Sequence, residues 1–497
     1  MLSLLSRYQT FLYLQAGLLA SLLFPIIQGN PVLRATIIVA SLGLLLWLAV
    51  IHLVNKQPLK IDIYLRKQHY IQAMVQASVF LYWGYYWRTV YEHFPLILVQ
   101  LLFAYGFDML LSWTRRRSYT FGFGAFPIVF SINLFLLFKP DWFYLQLVMI
   151  AVGLLGKEFV RWQRDGKSVH IFNPSAFALG LFSLLLIVTK TTDLTWGPEI
   201  ASTLTLAPNI YLFLFLVGLV VMYFFSITLV AMTAAATLFV LSGIYFQATG
   251  VPYFIDSEIP AAVFLGLHLL ITDPSTSPRS LTGKAVFGVA YGVGVFSLYA
   301  LLTYAGAPTF YDKLLCVPLL NLCVIAIDKW VARLNINRQV NLPKFNLMFM
   351  GGWIVLFAGM GMLGKMDGFH LGDSVPFWQQ ACEEGRRNAC DRLRLVEENF
   401  CRDGSAWACN DLGLRLRESD PTLSRELMSR ACQLRFTPAC ENLLSQESNS
   451  VGQPKTLDLR LLLREGGLNL MQTEEAELWS RACKHGWVLA CAGVAGQ

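Results

Sequence analysis

Charge is what this 497-residue sequence has least of. Only 14% of its residues are Asp, Glu, Lys or Arg, against 55% that are hydrophobic. From Tyr211 to Gln247 no charged residue occurs at all. A soluble core helix rarely needs such a run, whereas a bilayer span needs about 20 apolar residues in succession. The scarcity therefore excludes an ordinary soluble protein over most of the length. Catalytic signatures are missing as well. There is no Walker A loop, no nucleophile elbow and no zinc-protease motif, and no pair of histidines at bundle spacing points to haem. The formal net charge of +7 is not laid out as a basic stripe interleaved with aromatics, which excludes nucleic acid as a partner. Cysteine is nearly absent from the first 370 residues. The two that occur there, Cys316 and Cys323, lie in an apolar run and read as buried small apolar residues.

What is present is a series of apolar runs of spanning length. They fall near 10–27, 33–54, 69–87, 94–112, 121–138, 143–160, 174–190, 209–225, 227–247, 258–272, 284–306, 312–332 and 346–364. This predicts an all-α polytopic bundle of about 10–13 transmembrane helices, since some runs suit re-entrant or interfacial positions. Arg7 precedes the first run and no small-x-small cleavage site ends it, so it is expected to stay as a first helix. Basic residues cluster in alternate loops: Lys56, Lys60, Arg66 and Lys67; Arg115 to Arg117; Arg161, Arg164 and Lys167; Arg279 and Lys284; Arg333, Arg338 and Lys344. The loops between them are poor in Lys and Arg and hold Asp193, Glu199, Asp256 and Glu258. The positive-inside rule then places the basic loops and the N-terminus in the cytoplasm and the C-terminus outside. Tyr82, Trp83, Tyr85, Tyr86 and Trp87 read as an interfacial aromatic belt.

From about Asp373 the composition changes to Arg, Glu and Cys. Eight of the ten cysteines lie there as four C-x7-C pairs: Cys382/Cys390, Cys401/Cys409, Cys432/Cys440 and Cys483/Cys491. On one straight helix such residues stand about 12 Å apart, but a disulfide needs Cα atoms within about 7 Å. A turn must therefore fall between them, and Gly385, Gly404, Pro438 and Gly486 mark it. The expected unit is a helical hairpin stapled across its turn. Disulfides persist in oxidising compartments, which agrees with the loop charges and predicts a periplasmic domain on a bacterial inner-membrane protein. A cytosolic zinc site is the alternative, disfavoured because C-x7-C is not a zinc spacing. The phrases Trp378-x-x-Ala381-Cys382, Met428-x-x-Ala431-Cys432 and Trp479-x-x-Ala482-Cys483, with Ala408-Cys409-Asn410-Asp411-Leu412-Gly413, mark a repeat. Over 372–496 the chain resembles disulfide-bonded Sel1-like repeats. That resemblance implies a small α-solenoid whose concave surface binds an extracytoplasmic protein or peptide.

Two polar phrases interrupt the apolar background. One runs from Lys157-Glu158 through Arg161 and Arg164 to His170-Ile-Phe172-Asn173-Pro174. The other is Thr272-Asp273-Pro274-Ser275-Thr276-Ser277-Pro278-Arg279, one turn after His268. Asn173-Pro174 is a helix start, with Asn as cap and Pro in the first turn, and its free N–H groups suit an anion. Asp273-Pro274 stops a helix and sets hydroxyls beside Arg279. Read as residues alone, both are equally caps and turns between helices. Asp108 reads as an acid paired or snorkelling near Arg115.

Together with Phe123-Gly124-Ala125-Phe126-Pro127, these phrases resemble the RnfD/NqrB family, the related membrane components of the Rnf electron-transport complex and of the sodium-pumping quinone reductase. The nearest branch is the one found beside enediyne biosynthesis genes, and the resemblance covers about 95–305. It implies a flavin-dependent transmembrane electron-transfer subunit, possible association with other redox subunits, and a flavin region formed by Lys157, His170, Asn173, Pro174, Asp273, Thr276 and Arg279. The family's Ser-Gly-Ala-Thr-like attachment motif is absent, Ser242-Gly243-Ile244-Tyr245 being its nearest start. The implied cofactor is therefore FMN or riboflavin bound non-covalently. The chain divides on this reading into N-terminal helices (1–94), a core (95–305), C-terminal helices (306–371) and the repeat domain (372–497), with membrane lipids around the bundle. A non-redox anchor or scaffold that recruits an extracytoplasmic partner, or a transporter-like protein, is the alternative.

Overall fold

The computed structural model describes residues 2–447 apart from 55–58, 165, 206, 255–256, 335–341, 364–374, 403–404 and 435. The chain forms two compact units, one of residues 1–241 and 261–362, the other of 242–260 with the chain from 363 onward.

The first unit is helical. Its elements are α1 (Leu2–Ala20), α2 (Pro25–Gln28), α3 (Pro31–Val54), α4 (Lys67–Tyr86), α5 (Thr89–Glu92), α6 (Phe94–Arg116), α7 (Ala125–Phe135), α8 (Phe143–Phe159), α9 (Pro174–Thr189), α10 (Gly197–Leu204), α11 (Ile210–Phe225), the first part of α12 (Thr228–Thr249), α13 (Ala261–Leu269), α14 (Leu281–Tyr304), α15 (Asp312–Arg333) and α16 (Leu342–Met362). Among the described residues, seven helices are long and apolar enough to cross a membrane; α7, α9 and α11 are apolar but shorter. Side-chain placement makes the same point. Leu46, Leu53 and Val188 are 67%, 76% and 72% exposed, while Gln76, Gln100 and Gln146 are fully enclosed. Apolar groups outside and amides inside is the arrangement of a chain whose solvent is hydrocarbon. The protein is a multi-pass membrane protein.

Two runs read as spans are broken. The 121–138 run folds as α7, after which Leu136 is extended; the 258–272 run folds as α13 and leaves the helix at Leu270. Backbone groups freed inside an apolar bundle need partners, and amide side chains supply them. Gln146 Nε2 donates to Leu136 O (3.2 Å) and Gln146 Oε1 accepts from Phe138 N (3.0 Å). Asn173 Nδ2 donates to Leu270 O (3.2 Å). Gln146 belongs to a buried network in which Gln100 and Asn133 exchange two hydrogen bonds (3.0 and 2.6 Å). Gln76 donates to Ser131 (2.7 Å) on the same α4–α7 side.

Glycine sets a close helix approach. A Cβ on Gly292 of α14 would lie 2.7 Å from Thr237 Cβ and 2.9 Å from Ala234 O of α12, and Gly288 one turn earlier faces Thr233 and Val230 with no room for a Cβ. Small residues four apart let two helix backbones meet where van der Waals packing drives association.

Two small sheets complete the unit. β1 (Lys60–Ile63) pairs in parallel with β2 (Ser118–Phe121), Lys60 opposite Ser118. β3 (Arg161–Arg164) and β4 (Lys167–His170) form a hairpin. Gly166 at its tip has φ +73°, a conformation glycine adopts without a Cβ clash.

In the second unit α17 (Val375–Glu383), α18 (Ala389–Arg402), α19 (Ala406–Leu416), α20 (Pro421–Gln433) and α21 (Thr437–Glu447) follow one another. The expected staples are present: Cys382–Cys390, Cys401–Cys409 and Cys432–Cys440 close with Cα separations of 4.6, 4.6 and 4.8 Å. Each joins two successive helices across their turn, and Gly385 (φ +68°) with Asn388 (φ 60°) makes the first turn. Cys483, Cys491 and the Trp479 phrase lie outside the described residues. Trp378, Ala381, Met428 and Ala431, the repeated positions, are buried, so the repeat encodes the core. The segment 242–260, read from the sequence as part of the 95–305 core, folds with these helices. Val251 sits in their hydrophobic cluster with Trp378, Trp407 and Phe436. Arg386 donates to Gly250 O (3.0 Å) and Asn388 to the Tyr245 hydroxyl (3.3 Å).

Candidate functional site

The two polar phrases, about a hundred residues apart in the sequence, meet in the first unit. Asn173 caps α9 as its sequence predicts. Its Oδ1 accepts from Ser175 N (3.1 Å), Ala176 N (3.4 Å) and Ser175 Oγ (2.7 Å), and Pro174 occupies the first turn. The remaining Asn173 groups point toward the other phrase: Nδ2 donates to Leu270 O, two residues before it, and the backbone N–H donates to Asn321 Oδ1 (3.1 Å) on α15. Asn321 Nδ2 in turn donates to Thr276 O (3.2 Å). One amide on α15 therefore holds both phrases.

Asp273 caps the short turn after α13, accepting from Ser275 N (2.9 Å) and Ser275 Oγ (2.6 Å). Ser275 Oγ also shares a hydrogen bond with His170 Nε2 (2.9 Å). The hydroxyl proton is committed to Asp273, so His170 Nε2 is the donor. His170 Nε2 lies 3.9 Å from Asp273 Oδ2, and the two side chains are 21% and 23% exposed. Burial works against the Asp273 charge, but the His170 and Ser275 contacts outweigh it and hold the carboxyl below the usual carboxylate range.

Behind this pair lies a clasp that the sequence pattern did not place. Arg164 is buried, donates through Nη1 and Nη2 to Ser277 O (3.1 Å each), and pairs with Asp328 Oδ2 at 2.6 Å. Asp328 Oδ1 accepts from Arg279 N (3.2 Å). Glu158 is taken by Arg116 (2.8 Å) and Arg115 (3.9 Å). Lys157, with Arg66 and Asp273, lies close enough to His69 to act on its charge.

Of the seven expected residues, then, His170, Asn173, Pro174, Asp273 and Thr276 are brought together. Lys157 stands at the edge, and Arg279 joins through its backbone. Asn321, Asp328, Arg164 and His69 were missed. Asn321 and Asp328 are seven apart on α15, two turns along one face, and Asn321 is the single polar residue in an apolar run from Leu314 to Ile327, which was a usable signal.

The fit to a flavin divides these residues. Asn173 and Thr276 are buried and bonded within the junction, so they shape it. Lys157, His170 and Asp273 are partly exposed at its surface, beside the exposed Ser275 and Arg279, and Phe172 stacked on Phe177 (4.9 Å) supplies a planar wall. A cation, a hydrogen-bonding pair and aromatic rings suit a planar heteroaromatic ring, with the cation free for a side-chain phosphate where one is present.

His268, one turn before Thr272, is fully enclosed. Its Nδ1 bonds Phe264 O (2.8 Å) and its ring lies against Phe264 and Trp353. The Cα of Gly218 packs on its face, leaving no space for a methyl. It is an interior histidine with an ordinary helix bond.

No protein family, curated protein or solved structure matches this chain.

Proposed function

We propose that the chain is the membrane subunit of a flavin-dependent electron-transfer system, with FMN or riboflavin held non-covalently at the junction of the two polar phrases. The observation that carries this reading is the junction itself: Asn321 and the Ser275–His170 bond bring both phrases to one place. A flavin bound there supplies reversible one- and two-electron transfer. The chain's own work is to bind and orient it. Lys157 offers a positive charge to an anionic group, His170 and Asp273 offer a donor and an acceptor in fixed register, and the Arg164–Asp328 clasp keeps the loops from parting.

On the same reading the basic face is cytoplasmic in a bacterial inner membrane, and the stapled helices are Sel1-like repeats in the periplasm that bind a protein or peptide partner. The three disulfides support an oxidising surrounding.

The visible absorption spectrum of the purified protein tests the flavin. Flavin bands that vanish in Asp273→Ala and His170→Ala, with unchanged elution and unfolding temperature, are expected. A colourless protein that takes up neither FMN nor riboflavin overturns the reading. A transporter-like role is the second reading, favoured by the buried Gln100–Asn133–Gln146 network at the broken end of α7. Solute flux in vesicles that disappears in Asn133→Leu would support it.

A further inference from the structure

A cavity of about 460 Å³ opens on the basic face of the first unit, lined by Tyr64, Arg66, Lys67, Gln68 and Phe224. It is built by local sequence. Parallel pairing of β1 with β2 brings the Lys60–Lys67 segment beside Arg115 to Arg117, with Lys60 N bonded to Arg117 O (3.0 Å) and Tyr64 N to Phe121 O (3.0 Å). The strand then passes into α4, whose N-cap is Arg66. Lys67 reaches over the Phe224 ring, its Nζ 4.6 Å from the centroid, which closes one wall.

The charges here are not balanced. Lys60 has Asp62 at 3.9 Å, and Arg115 and Arg116 have Glu158. Neither Arg66 nor Lys67 pairs with a carboxylate among the described residues. Beside them Ile63, Tyr64 and Leu65 are exposed at 77%, 62% and 58%. Three consecutive exposed apolar side chains are costly in water and favourable in the headgroup and upper acyl region of a bilayer. Two uncompensated cations at the mouth of a cleft, next to an apolar segment, match an amphiphile with a phosphate at one end.

We propose that this cleft binds a phosphate ester, and that its source is the headgroup of an anionic phospholipid. Arg66 and Lys67 take the phosphate, Tyr64 and Gln68 offer hydrogen bonds to the headgroup, and Ile63 and Leu65 lie along the chains. Basic pockets at a membrane surface gain from the anionic leaflet as well as from the bound phosphate. The proposal does not rest on the flavin reading: none of the cleft residues belongs to the two-phrase junction, although Arg66 neighbours it through His69.

Full-length protein in nanodiscs of phosphatidylcholine with a minor share of phosphatidylglycerol, followed by native mass spectrometry of retained lipid, tests it. Wild type is expected to retain phosphatidylglycerol preferentially. Arg66→Gln with Lys67→Gln should lower that preference roughly 30-fold, at about fivefold per cation, while Arg66→Lys with Lys67→Arg should keep most of it. Matching unfolding temperatures show that the variants are folded. A second arm titrates adenosine monophosphate in neutral lipid. Saturable binding that the double Gln variant loses, with no lipid preference in wild type, overturns the lipid source. Equal lipid ratios in wild type and the double Gln variant, with no nucleotide binding, overturn the site.

Discussion

Removing Arg415 should open one helix pair of the cysteine-rich unit and leave its neighbours closed. Glu397 on α18 is fully buried, and Arg415 on α19 grips it with two bonds, Nε to Oε2 at 3.0 Å and Nη2 to Oε1 at 2.9 Å. Arg415→Met leaves a carboxylate inside without a counter-charge, which costs about 3–5 kcal/mol. The same two helices are joined by Cys401–Cys409, both sulfurs buried, so a reductant reaches that bond only when the helices separate. Its reduction rate follows the open population. Destabilisation of about 3–5 kcal/mol should therefore speed reduction roughly 10²- to 10⁴-fold. Cys382–Cys390, with Cys390 at the surface, serves as an internal clock whose rate should not change. Timed reduction, alkylation and peptide mass spectrometry give both rates in one sample. Glu397→Leu combined with Arg415→Met removes both charges and should return the slow rate. A single variant within about threefold of wild type, or a double variant as fast as the single, would refute the argument; the threefold bound corresponds to about 0.6 kcal/mol.

Three further outcomes are expected. Burial pushes the Glu397 carboxyl up and Arg415 pulls it only part of the way back. The stability that protonation of Glu397 supplies is therefore fully present below the ordinary carboxylate value and is lost as pH rises through the raised one; Glu397→Gln should flatten unfolding temperature against pH in that window. Gly218→Ala forces a methyl onto the His268 ring and should destabilise the bundle by about 1–3 kcal/mol, with His268→Ala in the same chain recovering most of it in thermal unfolding. Asp328→Ala leaves the buried Arg164 guanidinium with only Ser277 O. It should cost about 1.5–3 kcal/mol and raise tryptic cleavage at the β3–β4 hairpin; an unchanged digest would show that the clasp holds nothing.

The stapled helices were legible because covalent geometry leaves few choices: C-x7-C closes only across a turn. The α9 start at Asn173-Pro174 was legible because capping is local. The break after α7 was not, since Leu136 sits in an apolar run that reads through; the stop after α13 was marked by Asp273-Pro274, but the helix ends three residues before the run does, at Leu269. What ends those helices is a distant amide, Gln146 in one case and Asn173 in the other. The β3–β4 hairpin was hidden by its charges, which read as a loop although an Asp-Gly pair in the sequence there is a hairpin signal. At the junction, the phrases themselves could be read from the sequence. Their fastener was only hinted at, by Asn321 and Asp328 standing seven apart on α15; which groups they hold is fixed once α15 is packed against α9 and the 273–279 turn.

The placement of Val251, Gly250 and Tyr245 among α17 to α21 has a practical consequence. A recombinant tail starting at 372 would carry every cysteine of the unit yet lack the stretch that plugs its hydrophobic interior and occupies Arg386 and Asn388. Such a fragment is an amputated fold, and its exposed Trp378 neighbourhood would invite aggregation or spurious binding. A faithful miniature must carry 242–260 as well, supplied in trans or spliced ahead of the first hairpin.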